Sequence, residues 1–98
     1  MTGIDMIVGT CKMHLRVEWA NSLKEKRTVV KSVVAKAGNK FNISIAEIGN
    51  LNAHKDATIG FACVTNETRH AQSIVQNVIN FIEASTEAVV TDVETEII

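Results

Sequence analysis

The chain has no proline and no tyrosine, and only two cysteines, five glycines, one tryptophan and three phenylalanines. Without proline, no residue stiffens a linker or stops a helix abruptly, which fits packed elements better than extended tails. Two cysteines are too few for the disulfide framework of a small secreted domain and fit a reducing, cytoplasmic compartment. Neither sign of charge dominates: 10 Lys and Arg stand against 11 Asp and Glu, for a net charge of −1. That balance excludes wholesale coating of nucleic acid but leaves room for a local patch. No apolar run approaches the roughly 20 residues of a membrane span. The opening MTGIDMIVGTC lacks the basic start and long apolar stretch of a secretory signal.

Missing motifs narrow the chemistry further. Gly3, Gly9, Gly38, Gly49 and Gly60 are too dispersed to form a phosphate-cradling loop. His14, His54 and His70 share no metal-ligand spacing with each other or with Cys11 and Cys63. No Ser–His–acid arrangement can be given roles, and His54 with Asp56 is only an adjacent polar pair. Neither a catalytic residue nor a metal or cofactor is expected. Cys11 and Cys63 are read as buried thiols acting as small hydrophobes, with a redox pair as the alternative.

What the chain does have is a hydrophobic content of 46% in 98 residues, enough for one domain over residues 1–98 with a single core. From Ile7 to Val17 the odd positions are dry and the even ones from Thr10 to Arg16 are polar, the period of a strand. Ser22 stands three residues before Glu25, the capping-box spacing, with the carboxylate returning to the Ser22 N–H. The helix that follows has Leu23, Val30, Val33, Val34 and Ala37 on one side, Val29 at its margin, and Gly38-Asn39 as a left-handed exit. A second strand covers Phe41–Ile48, where the dry series Phe41, Ile43, Ile45 is broken by Glu47, suggesting a bulge or sheet edge. After a polar loop over Gly49–Asp56, a third strand carries Ile59, Phe61 and Cys63 on one face. Asn66 is the expected cap of a second helix with Ala71, Ile74, Val75, Val78, Ile79 and Ile82 as its stripe. A last alternating strand sets Val89, Thr91, Val93, Thr95 and Ile97 against Val90, Asp92, Glu94, Glu96 and Ile98.

The order β-α-β-β-α-β, with right-handed crossovers and two helix stripes to bury, gives an α+β ferredoxin-like sandwich. Its four-stranded antiparallel sheet has order 4-1-3-2, with both helices on one face. On the other face Lys12, His14 and Arg16 then oppose Asp92, Glu94 and Glu96, which reads as a cross-strand charge ladder before it reads as a ligand platform. An RNA-recognition sheet needs aromatics on its central strands, and Thr10, Lys12, His14, Arg16, Thr58, Gly60, Ala62 and Val64 include none. Ala46, Ile48, Ala62 and Val64 form an apolar strip suited to a back-to-back homodimer, with coverage by the polar loop as the alternative. On the first helix Lys24, Arg27 and Lys31 share one shoulder, with Lys26 and Lys36 towards the other. Joined by Lys40, these three are the candidate RNA or partner contact; the plain alternative is a solvated border.

The runs IVGTCKMHLRV, SLKEKRTVVKSV, FNISIAEI, ATIGFACVTN and VETEI resemble the YlxP-like family of small bacterial proteins, a domain of unknown function, over residues 6 to 98. The resemblance is most specific at Ser22-Leu23-Lys24-Glu25-Lys26-Arg27, with Phe41-Asn42 and Ala46-Glu47 at similar distances. It implies the ferredoxin-like fold, no transferable catalytic residues, and gene neighbours in transcription elongation, translation initiation and ribosome maturation. Where such proteins usually carry an Asp-Leu-Trp-Gln-Arg-like stretch, this chain has Asn52-Ala53-His54-Lys55-Asp56. The expectation is a cytoplasmic, non-enzymatic, homodimeric protein that assists an RNA-containing assembly, with no membrane association and no DNA-reading motif. The alternative is a protein-interaction or small-ligand regulatory module working through the dimer cleft or the Gly49–Asp56 loop.

Overall fold

The computed structural model describes residues 3–98; the first two residues of the single domain read over 1–98 lie outside the described residues. The elements are β1 (Ile7–Arg16), α1 (Leu23–Lys40), β2 (Ser44–Gly49), β3 (Asp56–Thr65), α2 (Thr68–Ser85) and β4 (Val89–Ile97). All strand pairs are antiparallel and the order is β2-β3-β1-β4, which is the ferredoxin-like topology expected from the pattern. Both helices pack on one face. Cys11, Met13, Leu15, Ile59, Phe61 and Cys63 from the central strands meet Val30, Val33, Ala37, Val75, Val78, Ile79 and Ile82 in one core. No helix of the described residues is long and apolar enough to cross a membrane.

Local chemistry accounts for most of the boundaries. Ser22 Oγ accepts from the Glu25 N–H at 3.1 Å. The Glu25 carboxylate returns to the Asn21 N–H at 3.0 Å, one residue earlier than the capping-box reading places it. Helix α1 does not stop at Gly38-Asn39. It runs to Lys40 and is capped by extended Phe41, whose N–H donates to the Ala37 carbonyl. Asn50 alone among the described non-glycine residues has a left-handed backbone, with φ of 59°. Asn66 does not cap α2; the cap position is Glu67, which makes no side-chain cap bond.

Each edge strand carries an irregularity. The register of β2 against β3 shifts between Glu47 and Gly49, where the break in alternation pointed. The second irregularity was not foreseen: β1 and β4 slip between His14 and Leu15, so His14 pairs with Asp92 but Leu15 pairs with Val90. The extra residue is Thr91, whose hydroxyl donates to the His14 carbonyl. Below this bulge the strand changes phase. Ala88 and Val90 now pack on the core while Val89 faces out.

At Gly9, α2 lies directly against the sheet. A Cβ added there would stand 2.9 Å from Val75 Cγ2 and 3.1 Å from Cys63 Sγ. Cys11 and Cys63 are both free and buried. Burial pushes the Cys11 thiol up to about 11, so it is neutral at physiological pH and is a packing group in the resting protein.

Candidate functional site

On α1, the structure separates residues that the sequence presents as one basic cluster. Lys24, Arg27 and Lys31 are exposed. They recur at the spacings that align side chains along a helix. Arg27 reaches the Leu51 carbonyl through Nη2 at 3.5 Å, resting on the β2–β3 loop. Among the described residues none of the three forms an ion pair. Lys40 does not join them. It lies half a turn out of phase with Lys31 at about 3.6 residues per turn, and its ammonium sits 5.4 Å from the Phe81 ring centroid and 5.9 Å from that of Phe41. The two rings meet edge to face.

Lys26 is not on a shoulder of the helix at all; its side chain is 0% exposed and points into the apolar side. Its ammonium donates to Glu47 Oε2 and to the Asn50 carbonyl, each at 2.9 Å. This is the physical reason Glu47 occupies a dry position of β2: it is the counter-ion of a buried cation. Every buried side-chain polar atom among the described residues has a partner.

Asn50 carries this network through to the other face of the sheet. Its Nδ2 donates to Thr58 Oγ1 at 2.9 Å, and Thr58 Oγ1 lies 3.1 Å from His14 Nδ1. His14 Nε2 in turn lies 3.1 Å from Glu94 Oε2. Thr58 was read as an exposed position of β3 but is only 6% exposed. With Asn50 donating to its oxygen, the Thr58 hydroxyl proton is free to point at Nδ1, leaving Nε2–H to donate to Glu94. The bond from His14, with help from the Lys12 ammonium, outweighs partial desolvation and holds the Glu94 carboxyl below its usual range.

The charge ladder is therefore only partly realised. Lys12 stands opposite Glu94, and His14 opposite Asp92 while bonding Glu94, but Glu96 faces Thr10. The bulge moves Arg16 out of the series and places it opposite Val89. Its guanidinium instead donates to both Asp56 oxygens, at 3.0 and 3.1 Å, and to Glu18 at 2.6 Å. These contacts raise the Arg16 pKa further and hold Glu18 below the usual carboxylate range. Asp56 is thus tied to Arg16, and the neighbouring Lys55 ammonium donates to the Ala20 and Glu18 carbonyls. The Gly49–Asp56 loop ends docked on the turn that leads into α1.

Two concavities among the described residues bear on these faces. One, of about 330 Å³, lies on the open sheet face over Gly60, between Lys12 on one side and Ala46, Ile48 and Ala62 on the other. Ile48 is 51% and Val64 is 66% exposed. The apolar strip is longer than its sequence reading, because Val8 pairs with Val64 and exchanges both backbone hydrogen bonds with Ile98, itself 63% exposed. The other concavity, of about 350 Å³, lies between α1 and the end of α2, with Val29 and Val33 as apolar lining and Trp19, Ser32, Lys36 and Glu87 around them.

A family model described as "Protein of unknown function (DUF503)" matches residues 8–95. Over 90 residues the chain is 33% identical to "Uncharacterized protein YlxP" of Bacillus subtilis (strain 168), covering 92% of this chain and 98% of that protein. Among solved structures, the de novo designed protein Foldit4 superposes with a TM-score of 0.51 at 9% identity. That match spans 96% of this chain and 97% of Foldit4, and the likeness concerns the fold alone.

Proposed function

This chain belongs to the DUF503 family, and from that premise we propose that it is a non-catalytic accessory protein that binds structured RNA, near the translation machinery, through Lys24, Arg27 and Lys31. The observation that carries this reading is the exposed stripe itself: three cations with no carboxylate partner among the described residues. The other charges around them are occupied, Lys26 by Glu47 and Glu25 by the helix cap. Lys24 sits in the first turn of α1, where the helix dipole disfavours a cation, and a bound phosphate relieves that cost.

Binding to structured ribosomal RNA fragments, measured across a salt series, tests this directly. Three phosphate contacts give a slope of log K against log salt of about −2 to −3. The triple change Lys24→Ala, Arg27→Ala, Lys31→Ala is expected to flatten that slope and weaken binding on every fragment alike. Undetectable or salt-independent binding by the unaltered protein overturns the proposal, as does a triple variant that binds as before.

A second reading rests on the open sheet face. The strip formed by Ala46, Ile48, Ala62 and Val64, extended by Val8 and Ile98, suits a back-to-back homodimer that buries the apolar half of that face. Ala62→Glu places a charge at its centre and is expected to convert a dimer to a monomer in sedimentation. A dimer unaffected by that change, or an unaltered protein that is monomeric throughout, rejects the strip as an interface.

A further inference from the structure

We infer that His14, Asp92 and Glu94 form a binding site for a divalent transition-metal cation on the open face of the sheet, with Thr58 as the residue that positions the imidazole. One imidazole nitrogen and two carboxylate oxygens from these residues all lie within 4.8 Å of one another. Metal–ligand bonds of about 2.0–2.2 Å, at tetrahedral to octahedral angles, place donor atoms roughly 2.9–3.4 Å apart. The separation of His14 Nε2 from Glu94 Oε2 is already 3.1 Å. The exposed Asp92 side chain supplies the third donor, within 4.8 Å of the other two.

Three features favour a cation at this place. The first is charge. With Arg16 diverted to Asp56 and Glu18, Lys12 opposite Glu94 and His14 opposite Asp92 are the basic residues that β1 sets against the three carboxylates, and Glu96 faces Thr10. Among the described residues, neither Asp92 nor Glu96 has an ion-pair partner. The second is the bulge at His14/Leu15, which sits beside the cluster and sets the phase of β4 there. Bulges of this kind commonly re-aim side chains next to functional sites.

The third is the support behind the imidazole. A metal-binding histidine ordinarily holds its other nitrogen on a fixed partner, which sets ring orientation and tautomer. Here that partner is the buried Thr58 hydroxyl, itself fixed by Asn50. Thr58 Oγ1 has two lone pairs, so it accepts from both Asn50 and Nδ1–H once the imidazole proton moves from Nε2 to Nδ1. Nε2 then presents its lone pair to the metal. An imidazole in the set favours zinc-like cations over magnesium. The site lies on the face of the sheet opposite α1, so its test is separate from that of the RNA reading.

Calorimetric titration with zinc chloride is expected to give one saturable site per chain, with magnesium chloride giving none at equal concentration. His14→Ala should abolish that site. Asp92→Asn and Glu94→Gln should each weaken it about tenfold or more, and Thr58→Val should weaken it about 10–100-fold. His54→Ala and His70→Ala serve as controls and should bind as the unaltered protein does. Amide resonances broadened by substoichiometric manganese should centre on residues 14 and 92–94, a readout that does not depend on any variant folding. Absence of saturable zinc binding, retention of the site in His14→Ala, its loss in either control, or broadening centred elsewhere overturns the assignment.

Discussion

Lys26→Ala is expected to lower the free energy of unfolding by about 3–5 kcal/mol, the largest effect of any single charge removal in this protein. The ammonium is wholly enclosed and donates to Glu47 and to the Asn50 carbonyl at 2.9 Å. Its removal strands a carboxylate whose side chain is only 18% exposed, and leaves a void under α1. Partial hydration of Glu47 sets the loss towards the lower end of that range. The double change Lys26→Met, Glu47→Leu removes both charges while keeping volume, and should recover most of the lost stability. Urea unfolding measures both, as a shift in midpoint at constant slope. A Lys26→Ala midpoint equal to that of the unaltered protein would show that the pair is not closed in solution.

The second large effect is expected at Gly9. Gly9→Ala should cost about 1–3 kcal/mol, because the new methyl collides with Val75 on α2 and presses on Cys63. The flanking strands leave it no direction of escape, since Gly9 pairs with Cys63 on β3 and with Ile97 on β4. Val75→Ala in the same chain removes the closest contact, so the two changes together should cost less than the sum of each alone. Strict additivity in the same urea experiment would place α2 further from the sheet than 2.9 Å allows.

These two positions also mark what could be read before the structure was known. The six elements and their topology were legible because periods of 2 and 3.6 run through almost the whole chain, and because two apolar helix stripes require one common sheet face. The capping box at Ser22 and the irregularity at Glu47 were legible from spacing. Lys26 was not, because a sequence reports charge and not depth. A signal was nevertheless present: Lys26 is in phase with Val29, Val30 and Val33, while Glu47 continues the dry series Phe41, Ile43, Ile45. Two opposite charges, each at an apolar position of its own element, can answer each other.

The β4 bulge had no comparable signal. Val89-Val90 offers an apolar residue to either face, so the last strand reads equally well in both phases. Only pairing with β1 decides between them, and with that decision the partner of Arg16 changed. The metal-ligand cluster was hidden for the same reason. His14 is far from Asp92 and Glu94 in the chain, and only the register brings them together. The basic stripe of Lys24, Arg27 and Lys31 needed nothing beyond helix phase, whereas Lys40 lies past the end at which that helix was expected to stop.

The outer side of β4 has no neighbouring strand, and Asp92, Glu94 and Glu96 decorate it at alternate positions. Such an edge is a template on which a further chain can add by backbone pairing, and closely spaced charge is a common defence against it. The three carboxylates therefore guard colloidal behaviour whatever else they bind. Because His14 keeps Glu94 ionised to lower pH than an ordinary glutamate, the Glu94 part of that guard persists further into acid than an unpaired glutamate's would. Replacing all three carboxylates by neutral amides would leave an uncharged open strand with Val89 exposed on it, and fibrous self-addition is the hazard that this charge works against.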